Sequence, residues 1–336
     1  MGFCLLNLPL VPFREILRML EFSEIISISF CSQRFQNVTK RNLYKLKEWE
    51  ICVKAYPNPR IILRKEKEEH ETLGVSFGKS LPKRKKLRAK IESRRVGNTL
   101  FRIKISNQGY LTSYWPTERI GTFECGKYVA DLFQKEIHTI EFEDTSTWLM
   151  DLPAYIPQLS ISKVVFKFYF FSGVEMSAKL RVFEECSAEH LETFGLIEEA
   201  PRFIRFGSFR TFRAQCGLWL TVRHVTNLKC SHISIMSSLW KSVHVNKFLR
   251  RWVHGGMPKL ECFDIEIVYE INLNEILDGL DQFVLLNSSF EGIGKENEWC
   301  TFHHVQIKSK SGLTALVDVD IAEAEKVFRM AVHPHA

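Results

Sequence analysis

The sequence lacks every short motif that commonly marks an enzyme active site. It has no Gly-x-x-x-x-Gly-Lys-Ser phosphate loop, no Gly-x-Ser-x-Gly nucleophile elbow, no His-Glu-x-x-His metal motif and no glycine-rich dinucleotide fingerprint. Each of these motifs joins a backbone shape to a side chain that the chemistry requires. We therefore expect a protein that is not an enzyme and that uses no cofactor.

Signals for membrane insertion and for disulfide bonding are also missing. No apolar run reaches the roughly 18 residues that a membrane span needs, and residues 1–12 lack the basic start of a signal peptide. The nine cysteines occur singly, and their odd number argues against a disulfide framework. We expect no membrane contact and a location in the cytoplasm, the nucleus or both.

Metal ligands and paired acids are present only as weak patterns. His224, Cys230 and His232 have the residue types of zinc ligands, but a structural zinc site needs four ligands at compact spacing. Ordinary core or surface histidines are the favoured interpretation. Asp318 and Asp320 fit the N-cap of a helix better than a carboxylate pair for hydrolysis. No metal site is predicted, and a hydrolase is only a minor alternative.

Positive charge is concentrated in the first 100 residues, where 21 Lys or Arg face 10 Asp or Glu, a net charge of +11. It peaks in a basic cluster within residues 79–95 that includes Lys83, Arg84, Lys85, Lys86 and Arg88. Such a run is typical of a solvated loop, a nuclear-import signal or a nucleic-acid patch. No aromatic residue lies within it, so base stacking is missing and nucleic acid is disfavoured as a partner.

The N-terminal 48 residues combine a Leu-Pro pair with an amphipathic helical pattern. Pro9 suits the first turn of a helix, because its missing N–H would be unsatisfied there anyway. Apolar residues follow it on one helical face. Ser23 is the expected N-cap of a second helix, and residues 38–46 are expected to form a third.

This segment resembles an F-box, a three-helix docking module. In F-box proteins that module binds the Skp-type adaptor of a cullin ubiquitin ligase, so the resemblance implies this adaptor, and through it a cullin, as partners. The positions that match the family's adaptor surface, or the residues that support it, are Leu8, Pro9, Ile16, Leu17, Leu20, Ile25 and Ile28. The residues alone also allow an ordinary pair of amphipathic helices that packs on the chain's own downstream domain.

A second resemblance lies within residues 218–267. A helix with the pattern Asn-x-Phe-Leu, in which the Asn is the expected N-cap, is followed by a tryptophan, a glycine pair and a Pro-Lys-Leu segment that leads into a strand. These residues are Asn246, Phe248, Leu249, Trp252, Gly255, Gly256, Pro258, Lys259 and Leu260. They resemble the type 2 F-box-associated domain of the large nematode F-box family. The order of the two regions is also that of the family.

The predicted fold class is α/β (α+β), with an N-terminal three-helix F-box at 1–48 and an F-box-associated domain at 49–336. We divide the latter into a β-rich part, 49–115, which carries the basic loop 79–95, and a repeat-like part, 116–336. Paired strands are expected at 49–55 and 60–64, and a helix at 320–330. Apolar strand windows begin at residues 137, 161, 191, 225, 260 and 302, and alternate with helical patterns. They resemble leucine-rich-repeat units. A non-repetitive mixed sheet is the alternative.

The sequence therefore predicts a substrate-recognition subunit of a Skp/cullin/F-box E3 ubiquitin ligase. Its F-box would bind the adaptor, and its C-terminal domain would bind a target protein that the sequence does not identify. The competing hypothesis is a nuclear or nucleic-acid-binding protein that uses the basic cluster at 79–95, with the N-terminal helices in a structural role only.

Overall fold

The computed structural model describes most of the chain, in two compact units. Unit 1 comprises Met1–Trp148 and Ala154–Val164, and unit 2 comprises Leu149–Pro153 and Val165–Ala336. No helix within the described residues is both long and apolar enough to span a bilayer. The described residues are 8–42, 48–55, 59–65, 68–77, 91–96, 99–105, 111–143, 161–167, 176–186, 188–197, 200–280, 283–286, 302–320 and 326–333.

Three helices, a seven-stranded sheet and a fourth helix make up the described part of unit 1. The helices are α1 (Leu10–Met19), α2 (Phe22–Cys31), α3 (Gln33–Asn42) and α4 (Glu118–Phe133). The strands are β1 (Glu50–Lys54), β2 (Arg60–Lys65), β3 (Glu68–Phe77), β4 (Ile91–Val96), β5 (Thr99–Ile105), β6 (Leu111–Trp115) and β7 (Ile137–Glu143).

The described part of unit 2 alternates strands and helices and ends in a run of strands. The strand β8 (Lys163–Lys167) spans the division between the units. The helices are α5 (Met176–Glu185), α6 (Val222–Thr226), α7 (Ser242–Val253) and α8 (Leu273–Leu277). The strands are β9 (His190–Phe194), β10 (Thr211–Ala214), β11 (His232–Ser238), β12 (Cys262–Ile267), β13 (Phe283–Leu286), β14 (Phe302–Lys308), β15 (Thr314–Asp320) and β16 (Lys326–His333).

The three N-terminal helices form as expected, but two of their starts were placed wrongly. Glu21, not Ser23, caps α2, because its side chain and that of Glu24 each accept a backbone N–H of the other residue. The helix α3 starts at Gln33, five residues before the predicted start. Ser32 has an extended backbone and its hydroxyl accepts the N–H of Phe35, so it ends α2 and supports the start of α3.

Unit 1 contains a mixed sheet in the order β7-β1-β2-β3-β6-β5-β4. The predicted pairing of β1 with β2 is confirmed and is antiparallel, with Ile51 opposite Leu63 and Val53 opposite Ile61. The strands β1 and β7 pair in parallel, as do β3 and β6. Parallel neighbours require a crossover connection, and α4 lies in the connection that brings the chain from β6 to β7.

Unit 2 contains four consecutive parallel strands, β9 to β12, followed in the sheet by β16, β15, β14 and β13 in antiparallel order. The side chains that point to the buried face align in rows across the strands. One row contains Leu191, Phe212, Ile233, Phe263 and Met330, and the next contains Thr193, Ala214, Ile235, Ile265 and Phe328. The helix α7 packs on this face through a stacked contact of Phe248 with Phe263, at 4.1 Å between ring centroids.

Several predicted elements of unit 2 are wrong. The window at residue 225 falls in α6 and the turn after it, and the strand begins only at His232. The window at residue 302 forms β14, but this strand is antiparallel to both neighbours and is not a repeat strand. The helix expected at 320–330 does not form in the described residues of that range, which belong to β15 and β16. Phe328 and Met330 pair across from β12 there, and this pairing overrides a helix-forming composition.

Asn246 does not cap a helix, as the sequence had suggested, because α7 begins four residues earlier, at Ser242. Its side chain is buried, and its amide nitrogen donates to the carbonyls of Ile276 and Asp278, at 2.8 Å each. Those carbonyls lie at the end of α8, so Asn246 ties α7 to α8.

His224 joins α6 to the segment that precedes β10. Its Nε2 lies 2.7 Å from the carbonyl oxygen of Pro201 and donates to it, while Nδ1 accepts the N–H of Thr221 at 3.3 Å. Burial lowers the pKa of His224, and the charge of Arg223 adds to the shift, whereas backbone hydrogen bonds to Pro201 and Trp219 oppose it. His224 is thus a buried structural histidine in this protein.

The role of Asn246 can be tested by replacing it with Asp. A helix cap accepts Asp as readily as Asn, but a tether that donates to two carbonyls does not, because a carboxylate has no N–H and is repelled by both oxygens. We expect Asn246→Asp to lower the free energy of unfolding by about 1 to 3 kcal/mol, measured by urea denaturation. The same change at the exposed Asn274 is the control and should be nearly neutral. An unaffected Asn246→Asp variant would contradict the tether.

The lowered pKa of His224 predicts a loss of stability on acidification. Because the folded protein holds this pKa below the unfolded value of about 6.5, the unfolded chain binds the proton more readily as the pH falls below that value. The urea concentration at the unfolding midpoint should therefore decrease when the pH is lowered from 7.5 to 5.5. His224→Gln should make this decrease smaller. His232→Gln is the control, and equal slopes in the wild type and the His224 variant would refute the prediction.

Candidate adaptor-binding surface

The three N-terminal helices share a small apolar core. Phe13, Leu17 and Phe35 are buried in it, and the rings of Phe13 and Phe35 meet edge to face with centroids 5.9 Å apart. Leu8, Leu20, Ile28 and Val38 are partly buried around them. The apolar stripe of α1 that the sequence reveals therefore points mainly into this core.

The helix α2 packs directly on the rest of unit 1. The Ser29 hydroxyl lies 2.7 Å from the Tyr128 hydroxyl on α4, and both atoms are buried. The ring of Phe30 stacks on Tyr128, with centroids 4.4 Å apart, and meets Phe101 of β5 at 5.2 Å. These contacts fix α2 to both the helix and the sheet of the downstream chain.

Polar contacts fix α3 and α1 in turn. Lys40 and Gln36 of α3 both reach the carboxylate of Asp131 on α4. The Arg14 Nε of α1 donates to the Asn42 side-chain oxygen at 2.8 Å, which ties α1 to α3. The alternative suggested by the sequence, helices packed on their own downstream domain, thus describes α2 and α3.

One side of α1 carries exposed apolar side chains, next to an exposed ion pair of Glu15 with Arg18. Leu10, Val11 and Met19 expose 52%, 68% and 83% of their surface, and Pro12 is exposed as well. Pro12, the half-buried Ile16 and Met19 lie four and three residues apart, so they line one side of the helix. An apolar helix face of this kind is typical of a protein-binding surface. We call residues Leu10, Val11, Pro12, Ile16 and Met19 the α1 surface.

The residues that the sequence assigned to the adaptor contact divide into two groups. Leu17 and Ile25 are buried inside unit 1, where they can only support a surface. The others are exposed or half-buried, and they are Leu8, Pro9, Ile16, Leu20 and Ile28. Leu10, Val11 and Met19 were not among the predicted residues, because a search for one helical stripe selects the positions that pack inward. Val11 and Met19 lie outside that stripe, and their apolar side chains were the signal that could have revealed an exposed group.

The sequence also singled out a basic cluster, possible metal ligands and a pair of acids. The basic cluster, Lys83, Arg84, Lys85, Lys86 and Arg88, lies outside the described residues. In the described part of the chain, no three His, Cys, Asp or Glu side chains come together to hold a metal ion. Asp318 and Asp320 are not an N-cap, since both lie within β15.

The buried thiols are poor nucleophiles. Burial raises the pKa of Cys52, Cys125, Cys186 and Cys230 to about 12, so at neutral pH each remains protonated. Among these four cysteines, none has the lowered pKa that a catalytic thiol needs.

Comparison with known families gives two matches, one at the N-terminus and one in the C-terminal part of the chain. Residues 5–47 match the F-box domain, and residues 202–265 match the F-box associated family, type 2. Neither the curated proteins nor the solved structures gave a match to the chain. F-box proteins are typically non-catalytic adaptors that serve ubiquitin ligases of the SCF type through a Skp-type adaptor.

The helices α1 to α3 lie within the first match, and the second match runs from before β10 into β12. The chain therefore carries an F-box domain at its N-terminus and a type 2 F-box-associated domain in its C-terminal part.

Proposed function

We propose that this protein is the substrate-recognition subunit of a Skp/cullin/F-box E3 ubiquitin ligase. The observation that carries the proposal is the exposed apolar α1 surface on a domain of the F-box family. The α1 surface would bind the Skp-type adaptor, and the F-box-associated domain would bind the target protein. The subunit itself would catalyse no reaction.

The expected adaptor contact is hydrophobic. Leu10, Val11 and Met19 are three large apolar side chains that a partner could remove from water, and each such burial contributes roughly 1.5 to 3 kcal/mol. Pro9 and the half-buried Leu8 would extend the contact at the start of α1. Leu17 and Ile25 would act indirectly, by holding α1 in position from the core.

The proposed mechanism is proximity. A ligase of this class holds the target beside its bound conjugating enzyme, so that target lysines are modified at high effective concentration. The contacts with α4 hold the three F-box helices in one orientation within unit 1. We also propose that the protein works in the cytoplasm, the nucleus or both, and that the domain limits are 1–48 and 49–336.

The parallel run β9 to β12 supports the comparison with leucine-rich repeats, since each strand is followed by a return segment and the buried rows align. Two features limit it. β10 has no counterpart among the windows expected from the sequence, and β13 to β16 are antiparallel. We therefore propose a repeat-like segment confined to the parallel strands.

The α1 surface can be tested with charged substitutions. In the double variant Val11→Glu with Met19→Glu, two carboxylates would be buried in the contact without a partner, which should weaken adaptor binding at least about a hundredfold. Co-purification of the full-length chain with the adaptor, followed by titration, measures the effect.

The matched control is Val268→Glu, which places the same charge on an exposed valine of unit 2 and should leave adaptor binding unchanged. Neutralising Lys83, Arg84, Lys85 and Lys86 should also leave it unchanged. If the α1 double variant binds the adaptor as the wild type does, the proposed contact is wrong. If the wild type ignores the adaptor but binds RNA or DNA at physiological salt, the nuclear or nucleic-acid hypothesis is favoured instead.

A further inference from the structure

Residues 200–210, which lie between β9 and β10, form an irregular segment in which buried and exposed side chains are mixed. Ile204 and Phe209 are buried, while Arg202, Phe203 and Arg205 are exposed. Phe203 exposes 47% of its surface, which is unusual for an aromatic residue beside a packed core. Ile204 and Phe209 therefore anchor the segment in the core, whereas Phe203 stays exposed.

The segment is fixed at both ends. The His224 Nε2 donates to the Pro201 carbonyl at 2.7 Å, just before Arg202. The Gly207 N–H donates to the Phe183 carbonyl at 2.7 Å, and a Cβ on Gly207 would lie 2.5 Å from the Cys186 oxygen, so the backbones approach closely. A loop held in this way loses little conformational freedom when it binds a ligand.

Arg223, on α6, lies against this segment. Its guanidinium carbon lies 5.6 Å from the centroid of the Phe203 ring, over its face. Within the described residues, none of Arg202, Arg205 and Arg223 forms an ion pair. Glu198 and Glu199 precede the segment and lie outside the described residues.

Two nearby arginines, Arg210 and Arg213, do form ion pairs. Arg210 lies 3.2 Å from the Glu189 carboxylate and Arg213 lies 4.0 Å from that of Glu192, although both arginines are exposed. Their charges are therefore already balanced. Within the described residues, the exposed arginines between 202 and 223 therefore fall into two groups. Arg210 and Arg213 form ion pairs, and Arg202, Arg205 and Arg223 form none.

We propose that Arg202, Arg205 and Arg223, together with Phe203, bind an acidic segment of a partner protein. This inference rests on the proposed function only in identifying that partner as the ligase's target. The chemistry follows from the charges: guanidinium groups pair with carboxylate or phosphate oxygens in bidentate geometry. The exposed edge of the Phe203 ring offers contact to one apolar side chain of the same segment.

A peptide fits this surface better than a nucleic acid. One face of Phe203 is covered by Arg223, which limits the ring as a stacking platform for bases. A nucleic-acid backbone also needs a longer track of positive charge than three arginines provide. An acidic peptide needs only the three arginines.

The test is a titration by fluorescence anisotropy, with full-length protein and a fluorescein-labelled peptide, Gly-Ser-Glu-Glu-Leu-Glu-Glu-Ser-Gly. Its counterparts replace two Glu with phosphoserine, or every Glu with Gln. We expect the two acidic peptides to bind and the Gln peptide not to bind. The phosphoserine and Glu affinities then tell whether phosphate or carboxylate is the preferred anion.

Replacing Arg202, Arg205 and Arg223 with Gln should weaken the binding of the acidic peptides about tenfold or more. The matched control replaces Arg210 and Arg213 with Gln and should change affinity less than about twofold. Phe203→Ala should weaken binding through the lost apolar contact. Urea midpoints equal to that of the wild type are expected, because the three arginines are exposed.

Three results would overturn the inference: a Gln peptide that binds as well as the acidic ones, a control variant that loses as much affinity as the triple variant, or an oligouridine RNA that displaces the peptide and binds more tightly. Co-purification of the same protein preparation with the adaptor is measured as a separate experiment. If the adaptor fails to bind while the acidic peptide still does, the ligase function falls and the peptide surface stands. The opposite result would refute the surface alone.

Discussion

The F-box of this protein depends on the contact between α2 and α4. Ser29 and Phe30 meet Tyr128, and Phe30 also meets Phe101, so a three-helix unit too small to fold securely alone acquires a large apolar neighbour. Each aromatic pair contributes roughly 0.5 to 1.5 kcal/mol beyond the area it buries. This contact covers α2 and leaves the outer side of α1 uncovered, which is why the adaptor is expected there.

Unit 2 likewise combines a packed layer with segments that carry exposed polar groups. The aligned rows of β9 to β12 and the stacked contact of Phe248 with Phe263 make a rigid layer. Segments between the strands are then free to carry polar groups, because their backbone is held by a few anchors such as His224. The segment before β10 illustrates this, since its exposed arginines lie on a backbone with little freedom.

The sequence revealed features that arise from local chemistry. Pro9 at a helix start, the paired strands β1 and β2, and the run from Phe248 to the β12 strand all depend on neighbours in the chain, and each was predicted. The errors arose where distant contacts decide. Asn246 resembles a cap but finds two carbonyls on α8, and residues 326–330 have a helical composition but pair with β12. The exposed side of α1 was hidden by the inward stripe, since both lie on one short helix.

The central claim is that α1 presents its outer side to the adaptor while α2 stays packed on its own chain. A photo-crosslinking amino acid, p-benzoylphenylalanine, tests this directly when it replaces Met19 in one sample and Lys127, an exposed residue of α4, in another, each co-purified with the Skp-type adaptor. We predict a cross-link to the adaptor from position 19 and none from position 127. A complex that forms normally but cross-links only from position 127 would contradict the account.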